Sequence, residues 1–239
     1  MSPGNAATSV PRLSVVFWGH ACFGIHLDDA PFLLIDPFDP RGLGETPGPP
    51  ALPVEYPHVV ATHEHSDHAA FHTQPSARVV GVPGSLGPLA LDYRSGAHDP
   101  LGGRLRGGSV RILELRLGEL RVVHASDLGE RPQGALLDWL CEPTPDLLIV
   151  PAGGYFTLNA DGAAELVARV QPRHAVFCHT QDDGLPLPQL DTQSLIRRRS
   201  AHWPSLQSRE LHVEPSNSPQ TTVVWMERPD AAPLQRIHG

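Results

Sequence analysis

A single α/β domain is the fold class that this sequence predicts, and three observations carry it. Apolar runs of strand length recur from Leu13 to Trp225, most of them rich in β-branched residues and bounded by Gly, Pro or Asp. Helical patterns are few and fall in the second half, where they alternate with strands. No repeat and no linker-like change of composition interrupts the 239 residues, which suffice for one large core. One domain over residues 1–239 follows, with 1–11 and 229–239 expected as flexible tails.

The elements can be placed in order. Strands are expected at Leu13 to Trp18 (LSVVFW), Phe32 to Ile35 (FLLI), His58 to Ala61 (HVVA) and Arg78 to Val82 (RVVGV). The Pro- and Gly-rich stretch from Pro40 to Pro53 reads as a long surface loop. Val110 to Leu117 and Leu120 to Ala125 flank Gly118-Glu119 with alternating polar positions, the pattern of a hairpin with one solvated face. Further strands are expected at Asp146 to Val150, Ala175 to Cys178 and Thr221 to Trp225. Helices are expected at Gln133 to Cys141, at Asp161 to Val170 after a cap at Asn159 and before Pro172, and at Thr192 to His202.

Composition narrows the function. The formal net charge is −8, which disfavours a nucleic-acid partner, and Arg197-Arg198-Arg199 reads as the solvated face of a helix. All 18 basic residues are arginine, so Schiff-base chemistry and a P-loop lysine are excluded. Three widely spaced cysteines, Cys22, Cys141 and Cys178, suggest neither a disulfide framework nor a zinc finger. No apolar run is long enough to span a membrane, and MSPGNAATSVPRL lacks the features of a signal peptide. A cytoplasmic protein with no membrane partner is the expectation.

The chemistry concentrates in THEHSDH, residues 62–68. Given the abundance of His and Asp, a chance H-x-H-x-D-H match somewhere in this chain has a probability of roughly 0.3 %, from frequency products. The motif follows the strand HVVA, in the kind of strand-end loop where α/β proteins place ligands. His63 and His65 can close on one cation while Asp67 and His68 turn toward a second. Imidazole with carboxylate suits zinc, and the same set accepts manganese or iron. Asp127, where the strand ending at Ala125 runs out, His179 at the end of AVFC, and His98 in a loop before the hairpin are further donors at strand ends.

With these residues in view, the chain resembles the metallo-β-lactamase-fold metal-dependent hydrolases, in a bacterial branch near the lactonase and phospholipase-D-like members. The resemblance runs through WGHACF (18–23), LLIDPF (33–38), THEHSDH (62–68), HDPLGGRLRG (98–107), HASDLG (124–129), PAGGYFTL (151–158) and AVFCH (175–179). It implies a four-layer αββα sandwich with the site at one edge of two sheets. It also implies two cations: His63, His65 and His98 hold the first, Asp67, His68 and His179 the second, and Asp127 bridges them with a hydroxide. His98 is favoured over His124, which stands three residues before Asp127 on a strand whose alternation turns it away and is expected to support a ligand or face the substrate. His20 and Asp36 are expected to support the ligands rather than bind metal, and Arg106 and Tyr155 to touch substrate. The chain departs from the branch pattern at Cys22, Ser109 and Ser126, where Ser, Asn and Gly are usual.

The activity implied is hydrolysis of an ester, lactone or phosphodiester in a small, anionic or ester-like substrate. Asp67 would serve as the catalytic residue, binding metal and holding the proton of the attacking hydroxide. Two rivals use the same residues: a mononuclear iron sulfur-oxygenase of the same fold, and a catalytically silent metal-binding module.

Overall fold

A computed structural model describes residues 10–105, 108–184, 186–215 and 220–230. Two sheets face each other. The first contains β1 (Leu13–Gly19), β2 (Cys22–Leu27), β3 (Ala30–Ile35), β4 (His58–Val60), β5 (Arg78–Val79) and β13 (Glu210–Val213), in the order β13-β1-β2-β3-β4-β5. The second contains β6 (Gly84–Leu86), β7 (Leu89–Ala97), β8 (Ser109–Leu117), β9 (Leu120–His124), β10 (Leu147–Pro151), β11 (His174–Cys178), β12 (Ser205–Ser208) and β14 (Thr222–Met226). Its order is β12-β14-β11-β10-β9-β8-β7-β6.

Strand alternation divides the apolar residues between three cores. Phe17, Ile25, Leu33 and Ile35 of the first sheet meet Leu113, Leu115, Val122, Ile149 and Val176 of the second, all buried between the sheets. The alternate residues Ile112, Val123, Leu148 and Val150 face outward and are covered by Ala163, Leu166, Val167 and Val170. Those four belong to α2 (Ala160–Val170), which packs with α1 (Gly134–Cys141) and α3 (Gln193–Arg199) on this face. On the outer face of the first sheet, Val16, Trp18, Leu34 and Val59 lie under Phe38, Tyr56 and Phe71. The αββα sandwich is therefore present, with the layer over the first sheet reduced to a loop and a 3-10 turn at Phe71–Thr73. Prolines at 37, 40, 47, 49, 50, 53 and 57 leave that segment too few free N–H groups and too many fixed φ angles to wind a helix.

Local chemistry sets the helix limits. Asn159 caps α2 by accepting the Gly162 N–H at 2.9 Å, and Gln171 ends it in the left-handed region before Pro172. Thr192 caps α3, which stops at Arg199 rather than at His202; there Ser200 Oγ donates back to the Ile196 carbonyl. Gly118, at φ 60°, turns the chain between Leu117 and Leu120 in the expected hairpin.

Strand direction positions the site. β3 and β4 run parallel, as do β9, β10 and β11. Two antiparallel steps return β1 to the sense of β3, and two return β7 to the sense of β9. The C-terminal ends of β1, β3, β4, β7, β9, β10 and β11 thus bring residues 20, 36, 62–68, 98, 126–127, 152–156 and 179 to one edge of the sandwich. No helix among the described residues is long and apolar enough to cross a membrane.

Candidate metal centre

Four residues that carry or flank the donors stand at strand ends with a bent backbone. His20, Asp36, Ser126 and His179 stand just after β1, β3, β9 and β11, and all four are left-handed, with φ of 54°, 51°, 54° and 59°. Such conformations cost non-glycine residues free energy and persist only where the surroundings enforce them. Here the enforcement is mutual: the His20 N–H donates to the Asp183 carbonyl, and the His179 N–H donates to the His20 carbonyl at 2.9 Å. Gly153 lets this happen, since a Cβ there would lie 2.0 Å from the His179 carbonyl oxygen.

Three ring nitrogens converge at the first position. His63 Nε2 and His98 Nε2 each lie 3.1 Å from His65 Nδ1. The outer nitrogens show which atoms carry protons. His98 Nδ1 faces the Phe156 carbonyl at 3.2 Å, so it must be the donor. His63 Nδ1 faces Thr62 Oγ1 at 3.1 Å, and the Thr62 hydroxyl proton is already given to Asp36 Oδ2 at 2.7 Å. His63 therefore donates as well. Both rings then turn Nε2 toward His65 Nδ1, a convergence of ring nitrogens that suits a cation. Burial, with His68 nearby, pushes the His63 pKa down to about 3, which keeps its Nε2 free of a proton.

The second position gathers His20, Asp67, His68 and His179, whose donor atoms lie within 4.8 Å of one another. Asp36 is fully buried and orients His68, accepting its Nδ1 proton at 2.9 Å. Burial alone would raise the Asp36 pKa, but the His68 imidazole, with His124 and His63, outweighs it and holds the carboxyl below its ordinary value. His20 Nε2 donates to Asp67 Oδ2 at 3.0 Å, and burial lowers the His20 pKa to about 4.

Asp127 Oδ2 sits between the two groups. It lies 3.1 Å from His68 Nε2, 3.3 Å from His179 Nε2, 3.5 Å from His98 Nε2 and 3.8 Å from His63 Nε2. Burial opposes its ionisation, yet His179 and His68 hold the carboxyl well below the usual range. Burial lowers the His68 and His179 imidazoles, but Asp127, together with Asp67 and, at His68, Asp36, outweighs it and raises both. Asp127 Oδ1, His68 Nε2 and His179 Nδ1 are nevertheless buried without a hydrogen-bond partner. Polar atoms left this way are costly. The donor types and the orphaned atoms fit divalent cations.

His98 and His124 are separated by their partners. His124 is fully buried, accepts the Ser126 N–H on Nδ1 at 2.9 Å and donates from Nε2 to the Ala21 carbonyl at 3.1 Å. Neither nitrogen is left for a metal. His20 and Asp36 do lie against the donors. Tyr155 is 54 % exposed and does not line the cavity over the donors, whereas its neighbour Phe156 does. Arg106 lies outside the described residues.

The cavity over the donors measures about 230 Å³; Leu43, Phe156 and Leu187 wall it, and His65, Asp67, His98, Asp127 and His179 form its polar floor. A larger hollow of about 540 Å³ opens at the far end of the sandwich, beside Leu13, Leu117 and Leu120, remote from the converging donors. Thr62, Phe156, Leu43 and Leu187 were not singled out by sequence, and Ser126 only as a departure from the branch pattern. Thr62 and Ser126 lie inside quoted motifs, but nothing in their spacing reports a hydroxyl chain.

Comparison with known proteins agrees with this geometry. Residues 14–179 match the family model described as a β-lactamase superfamily domain. A UPF0173 metal-dependent hydrolase of Hyperthermus butylicus is 27% identical over 218 residues, covering 77% of this chain and 90% of that one. Another, of Ruegeria pomeroyi, is 27% identical over 222 residues, covering 77% and 92%. Among solved structures, a candidate zinc-dependent hydrolase of the metallo-β-lactamase superfamily from Thermotoga maritima superposes with a TM-score of 0.64 at 20% identity, covering 90% of this chain and 100% of that one. The strand-end donors, the facing sheets and the family match together place this chain in the β-lactamase superfamily, with the metallo-β-lactamase fold.

Proposed function

We propose that this protein is a dinuclear metal-dependent hydrolase of a small substrate. The observation that carries the reading is the convergence of seven donors into two groups that share one carboxylate, Asp127. His63, His65 and His98 would hold the first cation, Asp67, His68 and His179 the second, and Asp127 both. The donor set suits zinc first, and manganese or iron as well. The printed names of the Hyperthermus and Ruegeria relatives are in line with such an activity.

Two cations bound there would supply positive charge to the electrophile and bring a water's pKa toward neutrality. The chain's own groups do the rest. Asp67, partly exposed to the cavity, would hold the proton of the attacking hydroxide as a hydrogen-bond acceptor, and His20 fixes its Oδ2 through the 3.0 Å hydrogen bond. The Phe156 carbonyl fixes the His98 ring while the Phe156 side chain walls the cavity.

The cavity also speaks to the substrate. At about 230 Å³ it is smaller than the ~300–1,000 Å³ of sites for drug-sized ligands. Its walls are apolar, and none of its described lining residues is an arginine. That favours an ester or lactone with a short aliphatic group over a phosphodiester. Both donor groups are complete, which favours two ions over the single iron of a sulfur-oxygenase and over a silent module.

The test is metal content per chain by elemental analysis, followed by assay of the loaded protein with p-nitrophenyl butyrate and bis(p-nitrophenyl) phosphate. About two ions per chain and turnover of the ester support the reading. One iron per chain with oxygen consumption on a thiol would replace it with the oxygenase.

A further inference from the structure

We infer that Ser126 is a positioning residue that sets the geometry of both cation positions through the Thr62 hydroxyl; this rests on the dinuclear reading above. Ser126 is fully buried, and its Oγ lies 2.7 Å from Thr62 Oγ1. Thr62 Oγ1 lies 2.7 Å from Asp36 Oδ2 and 3.1 Å from His63 Nδ1. Only one proton belongs to the Thr62 hydroxyl. Asp36 can only accept, so that proton goes to Asp36. The two remaining lone pairs of Thr62 then take the Ser126 hydroxyl proton and the His63 Nδ1 proton. The Thr62 hydroxyl is thereby saturated.

The consequence reaches every donor group. On one side the saturated hydroxyl holds the His63 ring in the tautomer that leaves Nε2 bare. On the other it reinforces Asp36, which holds His68 at 2.9 Å. The Ser126 hydroxyl also ties the end of β9 to the end of β4, so it crosses from one sheet to the other beside Asp127. A second tie anchors Ser126 itself, through its N–H to His124 Nδ1 and from His124 Nε2 to the Ala21 carbonyl.

The backbone gives the independent evidence. Ser126 has φ 54°, a conformation in which glycine carries no penalty and serine does. A residue chosen for stability alone at this position would be glycine. Beyond a Cβ, what serine adds there is a hydroxyl, and its partner is Thr62.

The experiment compares Ser126→Gly and Ser126→Ala with the parent, each stripped with chelator. Zinc affinity is read by titration calorimetry, and the stability of the metal-free protein by thermal unfolding. The expected result is that both variants bind zinc about tenfold more weakly. Metal-free Ser126→Gly should unfold at or above the parent temperature, because backbone strain is relieved, and Ser126→Ala below it. In a Thr62→Val background, Ser126→Gly should cause no further loss of affinity. Unchanged zinc affinity in Ser126→Gly would overturn the inference. So would a loss in Ser126→Gly alone, which would place the effect in the backbone rather than the hydroxyl, or an equal loss in the Thr62→Val background. A parent protein that binds no zinc would instead overturn the dinuclear reading, at a step before any variant is compared.

Discussion

Asp36 Oδ2 accepts the Nδ1 proton of His68 at 2.9 Å, and neither side chain has any contact with solvent. The same carboxylate also accepts the Thr62 N–H at 2.6 Å and the Thr62 hydroxyl proton. Asp36→Asn would keep the shape and lose the charge and one acceptor. Groups that orient metal-binding imidazoles typically matter by 10–100-fold in affinity. The expected outcome is a loss of that order for the second cation, together with a stability loss of about 3 kcal/mol in the metal-free protein. Titration calorimetry and chemical denaturation measure the two separately. Unchanged affinity would mean that His68 needs no partner to stay oriented.

His98 and His124 should respond in opposite ways. His98→Ala removes a donor from the first position, so the protein should bind one equivalent fewer of zinc while its fold survives. His124→Ala leaves the Ser126 N–H and the Ala21 carbonyl without their buried partner, at about 2 kcal/mol of stability. Its zinc stoichiometry should stay at two. If His124→Ala instead lost an equivalent and His98→Ala did not, the two residues would exchange roles.

The metal-free protein should be most stable near pH 6 to 7. His63 and His20 have folded pKa values lowered to about 3 and about 4, so the unfolded chain binds more protons below pH 6.5. Their stabilising contribution is present above pH 6.5 and is lost as pH falls toward those values. A shift of the His20 size corresponds to roughly 3 kcal/mol. His68 and His179 have raised values, so their contribution is present below pH 6.5 and is lost as pH rises through the folded pKa. Thermal unfolding across pH 4 to 9 should give a maximum with a fall on each side. Bound zinc should abolish the alkaline fall, because a cation replaces the protons that Asp127 otherwise attracts. A profile that climbs steadily to pH 9 without metal would contradict this.

The apolar walls make a prediction about substrate. Leu187→Asp brings a carboxylate to the cavity without touching a donor. It should lower kcat/KM for p-nitrophenyl butyrate by about tenfold, as expected for the loss of an apolar contact worth one to three kcal/mol, with metal content unchanged. An unaffected ester rate would show that the substrate does not pass Leu187.

Much of this is legible in the sequence. THEHSDH, Asp127 and His179 follow apolar, β-branched runs, and strand ends of one direction meet at one edge. The strands that escaped notice explain the remainder. β7 reads LALDYRSGA, with exposed and half-exposed residues along most of its length, so no apolar run marks it. Yet β7 is what delivers His98 to the donor edge. β2 carries Gly24 in its middle, where Tyr56 Oη comes so close that a Cβ would clash. The reduced helical layer over the first sheet was half legible, in the Pro- and Gly-rich loop expected there. The choice between His98 and His124 needed hydrogen-bond partners from β2's turn and from the Phe156 loop, which lie far away in sequence. The same holds for Phe156 in place of its neighbour Tyr155 at the cavity, since adjacent residues in a loop carry no periodic signal of direction.

The most direct measurement is a crystal structure of zinc-loaded protein with anomalous data at the zinc edge. Two peaks are predicted, one among His63, His65 and His98 and one among Asp67, His68 and His179, with Asp127 touching both. A single peak, or two that do not share Asp127, would contradict the dinuclear centre on which the proposed hydrolysis depends.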